Sequence, residues 1–308
     1  FNVFKISQLK LINTIYKDKI YYIFIIPVFL TIYLMLFIPI TYDEAFTFVN
    51  FIDRGIFVSA AFYPAPNNHV FYSVISSIVN LFDFKNIIPF RILSIIFFIL
   101  FLILSVKIFL KNSLYLKKHH YLLLAVLPLS LVFIYQSSLA RGYSLLAFLT
   151  LINIYYLQKI LKENGDKHLK TFSIFTSLTF YTIPSYFYCH VIFCFLILLF
   201  KKKSLIFLLK SNAIIFFFTS FLFFPVIIFQ GYDFIFQNNL IDKIYYKEFF
   251  FYLIKIKTII EDEIFGVSIF IILFFLILSF YFSTKIKKSK EFLGLFLIVV
   301  ISLFLPYL

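Results

Sequence analysis

Long apolar stretches without charged residues dominate this sequence, and they decide what it can fold into. Residues 20–40 contain no charge, and residues 171–200 form one uncharged run. A helix needs about 20 apolar residues to cross roughly 30 Å of hydrocarbon. Hydrophobic residues make up 63% of the chain and charged residues 14%, against about 45–50% and 25% in soluble domains. No soluble core can cover so much apolar surface, so the sequence predicts an all-α polytopic membrane protein and excludes a soluble enzyme.

The positions of the lysines predict the number and direction of the crossings. The basic clusters at 159–170 and 201–203 should both face the cytoplasm, so an even number of spans separates them. The run between them therefore divides into two short helices, and Thr182–Ser185, which contains a proline, supplies the break. The result is a protein of about nine transmembrane helices with its N-terminus inside. The predicted spans are 20–40, 87–110, 121–139, 142–158, two within 171–200, 211–230, 264–284 and 292–308.

The basic excess of the chain follows this topology. Segments assigned to the cytoplasm hold 20 lysines and 4 acidic residues, whereas the outer segments hold 8 basic and 10 acidic residues. The net charge of +14 therefore indicates orientation and contact with lipid headgroups. We expect membrane lipids and no nucleic acid among the partners.

We expect one transmembrane domain over residues 1–308. Residues 1–19 are a cytoplasmic lead-in, residues 41–86 form the first extracytoplasmic loop, and residues 231–263 form a second extracytoplasmic segment. Within the first loop, Val70–Phe82 carries apolar residues at helical spacing and is too short to span, which predicts an amphipathic helix lying along the membrane interface. Because the sequence ends within an apolar run, we expect it to be a fragment with a truncated C-terminus.

Two adjacent carboxylates, Asp43 and Glu44, follow directly after the first span. Thr41 and Glu44 have the spacing of a helix capping box, so one interpretation is purely structural. Acidic side chains beside hydrocarbon are costly, however, and often mark functional sites. We therefore predict that Asp43 and Glu44 are catalytic, with a carboxylate that deprotonates an acceptor hydroxyl.

Polar and basic residues elsewhere on the outer side are the candidate substrate ligands. Asn68 and His69 end a proline-rich turn, and Arg91 and Arg141 lie near the outer ends of their helices. Snorkelling to the interface is the alternative role for these arginines. The cytoplasmic anchors are lysines, whereas an arginine offers a planar, permanently charged fork that suits phosphate. A lipid phosphate fits better than a nucleotide, because the six glycines form no phosphate-binding loop.

Five short motifs follow one another at corresponding places along the predicted topology. They are Thr41–Thr47 after the first span, Asn67–Tyr72 in the first outer loop, Pro89–Ser94 at the start of the second span, Ala140–Tyr143 at an outer turn and Tyr181–Tyr186 at the break. In this order they resemble motifs of the GT-C glycosyltransferases. The likeness covers roughly residues 20–200 and is closest to the protein O-mannosyltransferase and lipid A aminoarabinose transferase branch, including the bacterial RgtA/B/C/D-like members. The sequence departs from the family pattern at Val70, at Ile92-Leu93 and at Ile183-Pro184.

The resemblance implies an inverting glycosyltransferase that moves a sugar from a polyprenyl-phosphate donor to an acceptor hydroxyl on the extracytoplasmic face. In this hypothesis Asp43 is the catalytic base and Glu44 helps to shape the acceptor site. Either Arg91 or Arg141 handles the phosphate. The acceptor is an envelope glycan, lipid or protein, in a bacterial inner or plasma membrane. The further substrate contacts are Asn68, His69 and Tyr143.

The sequence does not decide whether a divalent cation is bound, and two other functions stay open. The acidic end of the second outer segment, Glu261-Asp262-Glu263, is either a solvated loop or helix cap, or a contact for the acceptor or a divalent cation. An O-antigen ligase or polymerase would place its key groups in a late outer loop, and 231–263 is the candidate. A lipid-linked sugar flippase or other transporter would place polar features near the midplane, whereas the charged features here collect on one face.

Overall fold

The computed structural model describes residues 24–63, 68–111, 130–163, 166–200 and 204–231. Within these ranges the regular structure is helical and contains no β-strand, which confirms the predicted all-α class. The α-helices are α1 (Phe24–Phe37), α2 (Tyr42–Thr47), α3 (Ile56–Ala61), α4 (Val70–Val79), α5 (Ile88–Lys111), α6 (Leu131–Ser138), α7 (Tyr143–Glu163), α8 (Leu169–Thr182), α9 (Phe187–Phe200) and α10 (Ser204–Gln230).

Three of these helices, α5, α7 and α10, are each long and apolar enough to cross a membrane. A fourth crossing results if α1 and the bent continuation Tyr42–Ile52 count as one span. Helices α5, α7 and α10 overlap three of the predicted spans and α1 overlaps a fourth, whereas Tyr42–Ile52 falls in the segment predicted as the first outer loop. Helices α8 and α9, where two further spans were predicted, have 14 residues each and are not among the candidate spans. The membrane character of the chain is supported to that extent. The full arrangement of nine crossings stays a prediction, because spans 264–284 and 292–308 and most of span 121–139 lie outside the described residues.

A bend of 74° separates α1 from α2 at Pro39. Proline has no N–H to continue a helix and disfavours helical backbone at the preceding residue, here Ile38. Helix α2 starts after Thr41, whose Oγ1 accepts a hydrogen bond from the Glu44 N–H at 3.3 Å, while the Glu44 carboxylate accepts from the Thr41 N–H at 3.1 Å. The predicted capping box is therefore confirmed.

The helix predicted over 70–82 forms as α4 followed by the 3₁₀ turn Asn80–Phe82. Its serine side is the more deeply buried one: Ser73, Ser76 and Ser77 are inaccessible or nearly so, whereas the apolar Ile78 is exposed. The Ser77 hydroxyl lies 2.6 Å from that of Ser59 on α3, so hydrogen bonds join these two helices of the first loop. The helix is confirmed, and its place at the membrane interface stays a prediction.

The predicted break in the long uncharged run is also confirmed. The 3₁₀ turn Pro184–Tyr186 separates α8 from α9, and the two helices fold back on each other, with the rings of Phe172 and Phe193 in contact. On α9, His190 Nε2 lies 2.7 Å from Oδ1 of Asn212 on α10, so a hydrogen bond joins these two helices.

One buried asparagine ties this hairpin to α7. The Asn153 amide donates to Thr179 Oγ1 at 2.9 Å and to the Tyr186 hydroxyl at 3.0 Å, and its Oδ1 accepts from Thr176 Oγ1 at 3.4 Å. All four residues are buried. A buried amide requires partners on both its donor and acceptor sides, so this network fixes how α7 and the hairpin sit together.

Candidate functional site

The outer motifs meet at one end of the helix bundle although they are far apart in the chain. The start of α2, the first turn of α5 and the turn between α6 and α7 contribute side chains that pair with one another. The residue before α4, His69, packs against the same α6–α7 turn. Of the seven predicted site residues, six come together here.

Glu44 and Arg91 form a buried ion pair with two parallel hydrogen bonds. Arg91 Nε donates to Oε1 at 2.8 Å and Nη2 donates to Oε2 at 2.7 Å, and the two side chains are at most 3% exposed. Burial raises the pKa of Glu44, but hydrogen bonds from Arg91, Ala140 and Thr41 and the positive charge of Arg91 outweigh it, so the pKa lies below its ordinary value. The carboxylate is ionised and is a poor proton acceptor.

The remaining N–H groups of Arg91 bind the end of α1. Nη1 donates to the carbonyls of Met35 and Ile38 at 2.8 Å each, and Nη2 donates to that of Pro39 at 3.1 Å. Met35 lies in the last turn of α1, where a helix leaves its carbonyls unpaired, and Ile38 and Pro39 follow directly after the helix. Together with the pair to Glu44 they use all five N–H groups of the guanidinium. Arg91 therefore caps α1. Of the two arginines predicted to handle phosphate, we retain Arg141 as the candidate.

The Glu44 carboxylate also reaches the turn between α6 and α7, where its Oε1 accepts from the Ala140 N–H at 2.6 Å. With Arg91 and both groups of Thr41, five donors surround its two oxygens. The Glu44 carboxylate is therefore fully engaged by donors of the protein itself. In the part of the chain that the structure describes, no group of three or more His, Cys, Asp or Glu suits a metal. The acidic run at 261–263 lies outside it.

Asp43 has a different environment. Its side chain is 53% exposed, and Oδ2 lies 3.5 Å from Nη1 of Arg141, whose own side chain is 4% exposed. The same Nη1 donates to the main-chain oxygen of Asp43 at 3.2 Å. A single-contact pair at the surface contributes only about 0–1 kcal/mol. The Asp43 carboxylate is therefore open to an incoming molecule, as a base must be.

The backbone of Arg141 is held by a buried chain of hydroxyl groups. Ser94 Oγ lies 3.2 Å from the Arg141 carbonyl oxygen and 2.9 Å from the Tyr72 hydroxyl, which donates to the Phe90 carbonyl at 2.6 Å. This chain joins α4, α5 and the α6–α7 turn. Sequence reasoning missed Tyr72 and Ser94 as positioning residues. Both lie inside motifs that resemble those of the GT-C enzymes, and this position was the sequence feature that could have indicated their role.

His69 is buried against the α6–α7 turn. A Cβ at Gly142 would lie 2.5 Å from His69 Nδ1, so only glycine allows this close approach. The imidazole meets the Tyr143 ring edge to face at 4.5 Å. Burial and the charge of Arg141 lower the pKa of His69 to about 3, an effect that the Gly142 backbone partly offsets. His69 is thus neutral and adds no positive charge for a phosphate.

The other two predicted contacts divide between the site and its support. Tyr143 belongs to the site, since its ring lies 5.7 Å from the Arg141 guanidinium carbon. Asn68 supports the loop before α4: its amide donates to the Phe62 carbonyl at 3.4 Å and its Oδ1 accepts from Ser73 Oγ at 3.2 Å. Its polar atoms are therefore engaged away from Asp43.

Comparison with protein-family models, with curated proteins and with solved structures finds no match to this chain. The likeness to the GT-C enzymes therefore stays a hypothesis based on the five motifs. The geometry adds one locked acid–arginine pair, one open pair beside it and a neutral histidine. That arrangement can accept a proton and stabilise an anion at neighbouring points.

Proposed function

We propose that this protein is an inverting glycosyltransferase that moves a sugar from a polyprenyl-phosphate donor to an acceptor hydroxyl on the extracytoplasmic face of a bacterial inner or plasma membrane. The open pair of Asp43 and Arg141 carries the proposal. A half-exposed carboxylate lies 3.5 Å from a guanidinium nitrogen, so a base and a phosphate ligand stand side by side.

In the proposed reaction, the Asp43 carboxylate accepts the proton of the acceptor hydroxyl as its oxygen forms a bond to the anomeric carbon. The bond between that carbon and the phosphate oxygen breaks, and its electron pair leaves with polyprenyl phosphate. Attack opposite the leaving group inverts the anomeric centre. Arg141 stabilises the additional negative charge on the departing phosphate.

The support for this proposal comes from three independent features. Apolar helices indicate a membrane protein. A polyprenyl donor also resides in the membrane. The five motifs resemble those of GT-C enzymes that use such donors. Glu44 pairs with Arg91 on α5 and accepts the Ala140 N–H, which fixes the start of α2 to the α6–α7 turn, so the neighbouring Asp43 and Arg141 are held in register. About nine crossings would place all these motifs on the outer face.

The test replaces Asp43 by Asn and follows the envelope sugars of a deletion strain by mass spectrometry. We expect the deletion to remove one sugar, the wild-type gene to restore it, and Asp43→Asn to restore less than about 1% of it, because loss of a general base lowers the rate about 10²–10⁴-fold. Asp53→Asn is the matched control, since Asp53 is an exposed acid of the same loop.

Thermal unfolding of the purified variants checks that both proteins fold equally well. Full restoration by Asp43→Asn would remove the base assignment. Accumulation of a lipid-linked sugar on the cytoplasmic leaflet of the deletion strain would instead indicate the flippase alternative.

A further inference from the structure

We infer that Arg141 exchanges its anionic partner during the reaction: a phosphate that binds Arg141 displaces the Asp43 carboxylate, so the base is released only when the donor is in place. The inference rests on the proposed function and adds an order of binding, donor before acceptor. The ligand class is a phosphate anion, carried by a polyprenyl lipid.

The first argument is the contrast between the two acid–arginine pairs. Glu44 and Arg91 share two bonds of 2.7 and 2.8 Å in an environment closed to solvent. Asp43 and Arg141 share one longer contact of 3.5 Å, and the carboxylate is half exposed. A ligand that arrives from solvent reaches the second pair and not the first. Of these two pairs, the first cannot exchange its partner and the second can.

The second argument is that Arg141 does not depend on the Asp43 carboxylate for its position. Its Nη1 also donates to the Asp43 main-chain oxygen at 3.2 Å, and Ser94 lies 3.2 Å from its carbonyl oxygen. The turn that carries it is fixed by the Ala140 N–H bond to Glu44. The carboxylate can therefore rotate away while the guanidinium stays where it is.

The third argument is competition for the same edge of the guanidinium. Asp43 Oδ2 approaches Nη1, and with the carboxylate in that position the whole Arg141 side chain is only 4% exposed. Rotation of the half-exposed carboxylate uncovers the Nη1 edge, and a phosphate oxygen from solvent would bind there. A phosphate group has more acceptor oxygens and more negative charge than a carboxylate. It is therefore the stronger partner for the planar guanidinium.

The exchange also has a chemical consequence. While Asp43 contacts Arg141, its Oδ2 lies against the guanidinium and is not available to an acceptor hydroxyl. Once the phosphate has taken that position, both oxygens of Asp43 are available to the acceptor hydroxyl. The base then acts beside the phosphate that will leave.

The test measures binding of undecaprenyl phosphate, without any sugar transfer, to the purified full chain in nanodiscs. We expect Asp43→Asn to tighten binding about two- to fivefold, because it removes the competing carboxylate. We expect Arg141→Gln to weaken binding at least about tenfold. Arg141→Lys, which keeps the charge without the planar fork, should weaken binding in the same direction and serves if the glutamine variant fails to fold.

The double variant decides whether the carboxylate acts through Arg141. In an Arg141→Gln background, Asp43→Asn should leave affinity unchanged, whereas in an Arg141→Lys background it should keep a smaller gain than in the wild type, because the lysine still carries a charge with which the carboxylate pairs. Asp53→Asn, the matched control, should also leave it unchanged. The exchange is wrong if Asp43→Asn does not tighten binding, if it tightens binding equally in the Arg141 variants, or if Asp53→Asn gives the same gain.

Inorganic phosphate as a second probe separates the two sources of the anion. If Asp43→Asn increases the affinity for undecaprenyl phosphate only, Arg141 exchanges Asp43 for a lipid phosphate. If it increases the affinity for inorganic phosphate equally, Arg141 exchanges Asp43 for a free anion. These experiments distinguish an error in the proposed transferase function from an error in the proposed exchange of partners at Arg141. The exchange stands if the binding cycle holds without any transferase activity, and it falls if transfer needs Asp43 while Asp43→Asn leaves affinity unchanged.

Discussion

Asp43 and Glu44 are adjacent in the chain, yet the Glu44 side chain is fully buried whereas that of Asp43 is 53% exposed. Successive side chains of a helix point about 100° apart, so two neighbours in the first turn of α2 face different surroundings. Glu44 faces α5 and the α6–α7 turn, and Asp43 faces outward. One acidic dipeptide thereby supplies a structural anion and an accessible carboxylate.

The first prediction concerns the locked pair. Glu44→Gln leaves the buried Arg91 charge without its counter-ion, and removal of one partner of such a pair destabilises a protein by about 3–5 kcal/mol. We expect a large fall in the free energy of unfolding, measured by chemical unfolding in detergent. Asp43→Asn is the matched control and should change stability by less than about 1 kcal/mol.

Arg91→Met and the Glu44→Leu/Arg91→Met double variant complete a thermodynamic cycle for this pair. The double variant should be less destabilised than the sum of the single Glu44→Leu and Arg91→Met changes, because it strands no charge. Equal stability of Glu44→Gln and Asp43→Asn would contradict the structural role given to Glu44.

The second prediction concerns the close approach of Gly142 to His69. Gly142→Ala places a methyl group 2.5 Å from His69 Nδ1, and overpacking of this kind costs about 1–3 kcal/mol. We expect a lower midpoint of thermal unfolding. His69→Ala opens the space, so Gly142→Ala should have little further effect in that background. A full additional loss in the His69→Ala background would show that the methyl group meets something else.

Local patterns were sufficient to predict the parts of the fold that depend on neighbouring residues. The capping box of Thr41 and Glu44 and the helix break at Pro184 follow from short-range backbone chemistry, and the structure has both. The role of Arg91 did not follow. Its partners come from the end of α1 and from α2, and only the folded chain shows that they take up every N–H group.

The same limit applies to the histidine of the site. A histidine beside asparagines and near acidic residues suggested a polar, substrate-facing group. Burial of His69 depends on the absence of a side chain at Gly142, more than 70 positions later in the sequence. Whether Arg91 or Arg141 remained open to a ligand was likewise undecidable from spacing, because both lie at helix ends on the same side.

The third prediction concerns the pH dependence of stability. The pKa of His69 is about 3 in the folded protein and about 6.5 in an unfolded chain. Between these values the unfolded chain binds a proton that the folded protein does not, so this stability is fully present above pH 6.5 and decreases as pH falls. From pH 7.5 to 5 the loss should be about 2 kcal/mol.

His69→Gln has no titrating ring, so its free energy of unfolding should decrease less over this interval. The pKa of Glu44 lies below its ordinary value, so its contribution is lost only at lower pH and does not enter this interval. Identical slopes for wild type and His69→Gln would exclude a buried neutral His69.

The fourth prediction concerns the asparagine that ties α7 to the hairpin. Asn153→Leu removes three hydrogen bonds inside the apolar bundle and leaves the Tyr186 hydroxyl without this donor. Hydrogen bonds between membrane helices contribute about 0.6 kcal/mol each on average and up to about 1.7, so we expect a loss of about 1–3 kcal/mol in unfolding free energy. Tyr186→Phe in the same background removes the stranded hydroxyl and should recover part of that loss, because two apolar groups pack without unmet hydrogen bonds. Wild-type stability of Asn153→Leu, or a further loss on adding Tyr186→Phe, would show that this network does not hold the hairpin in place.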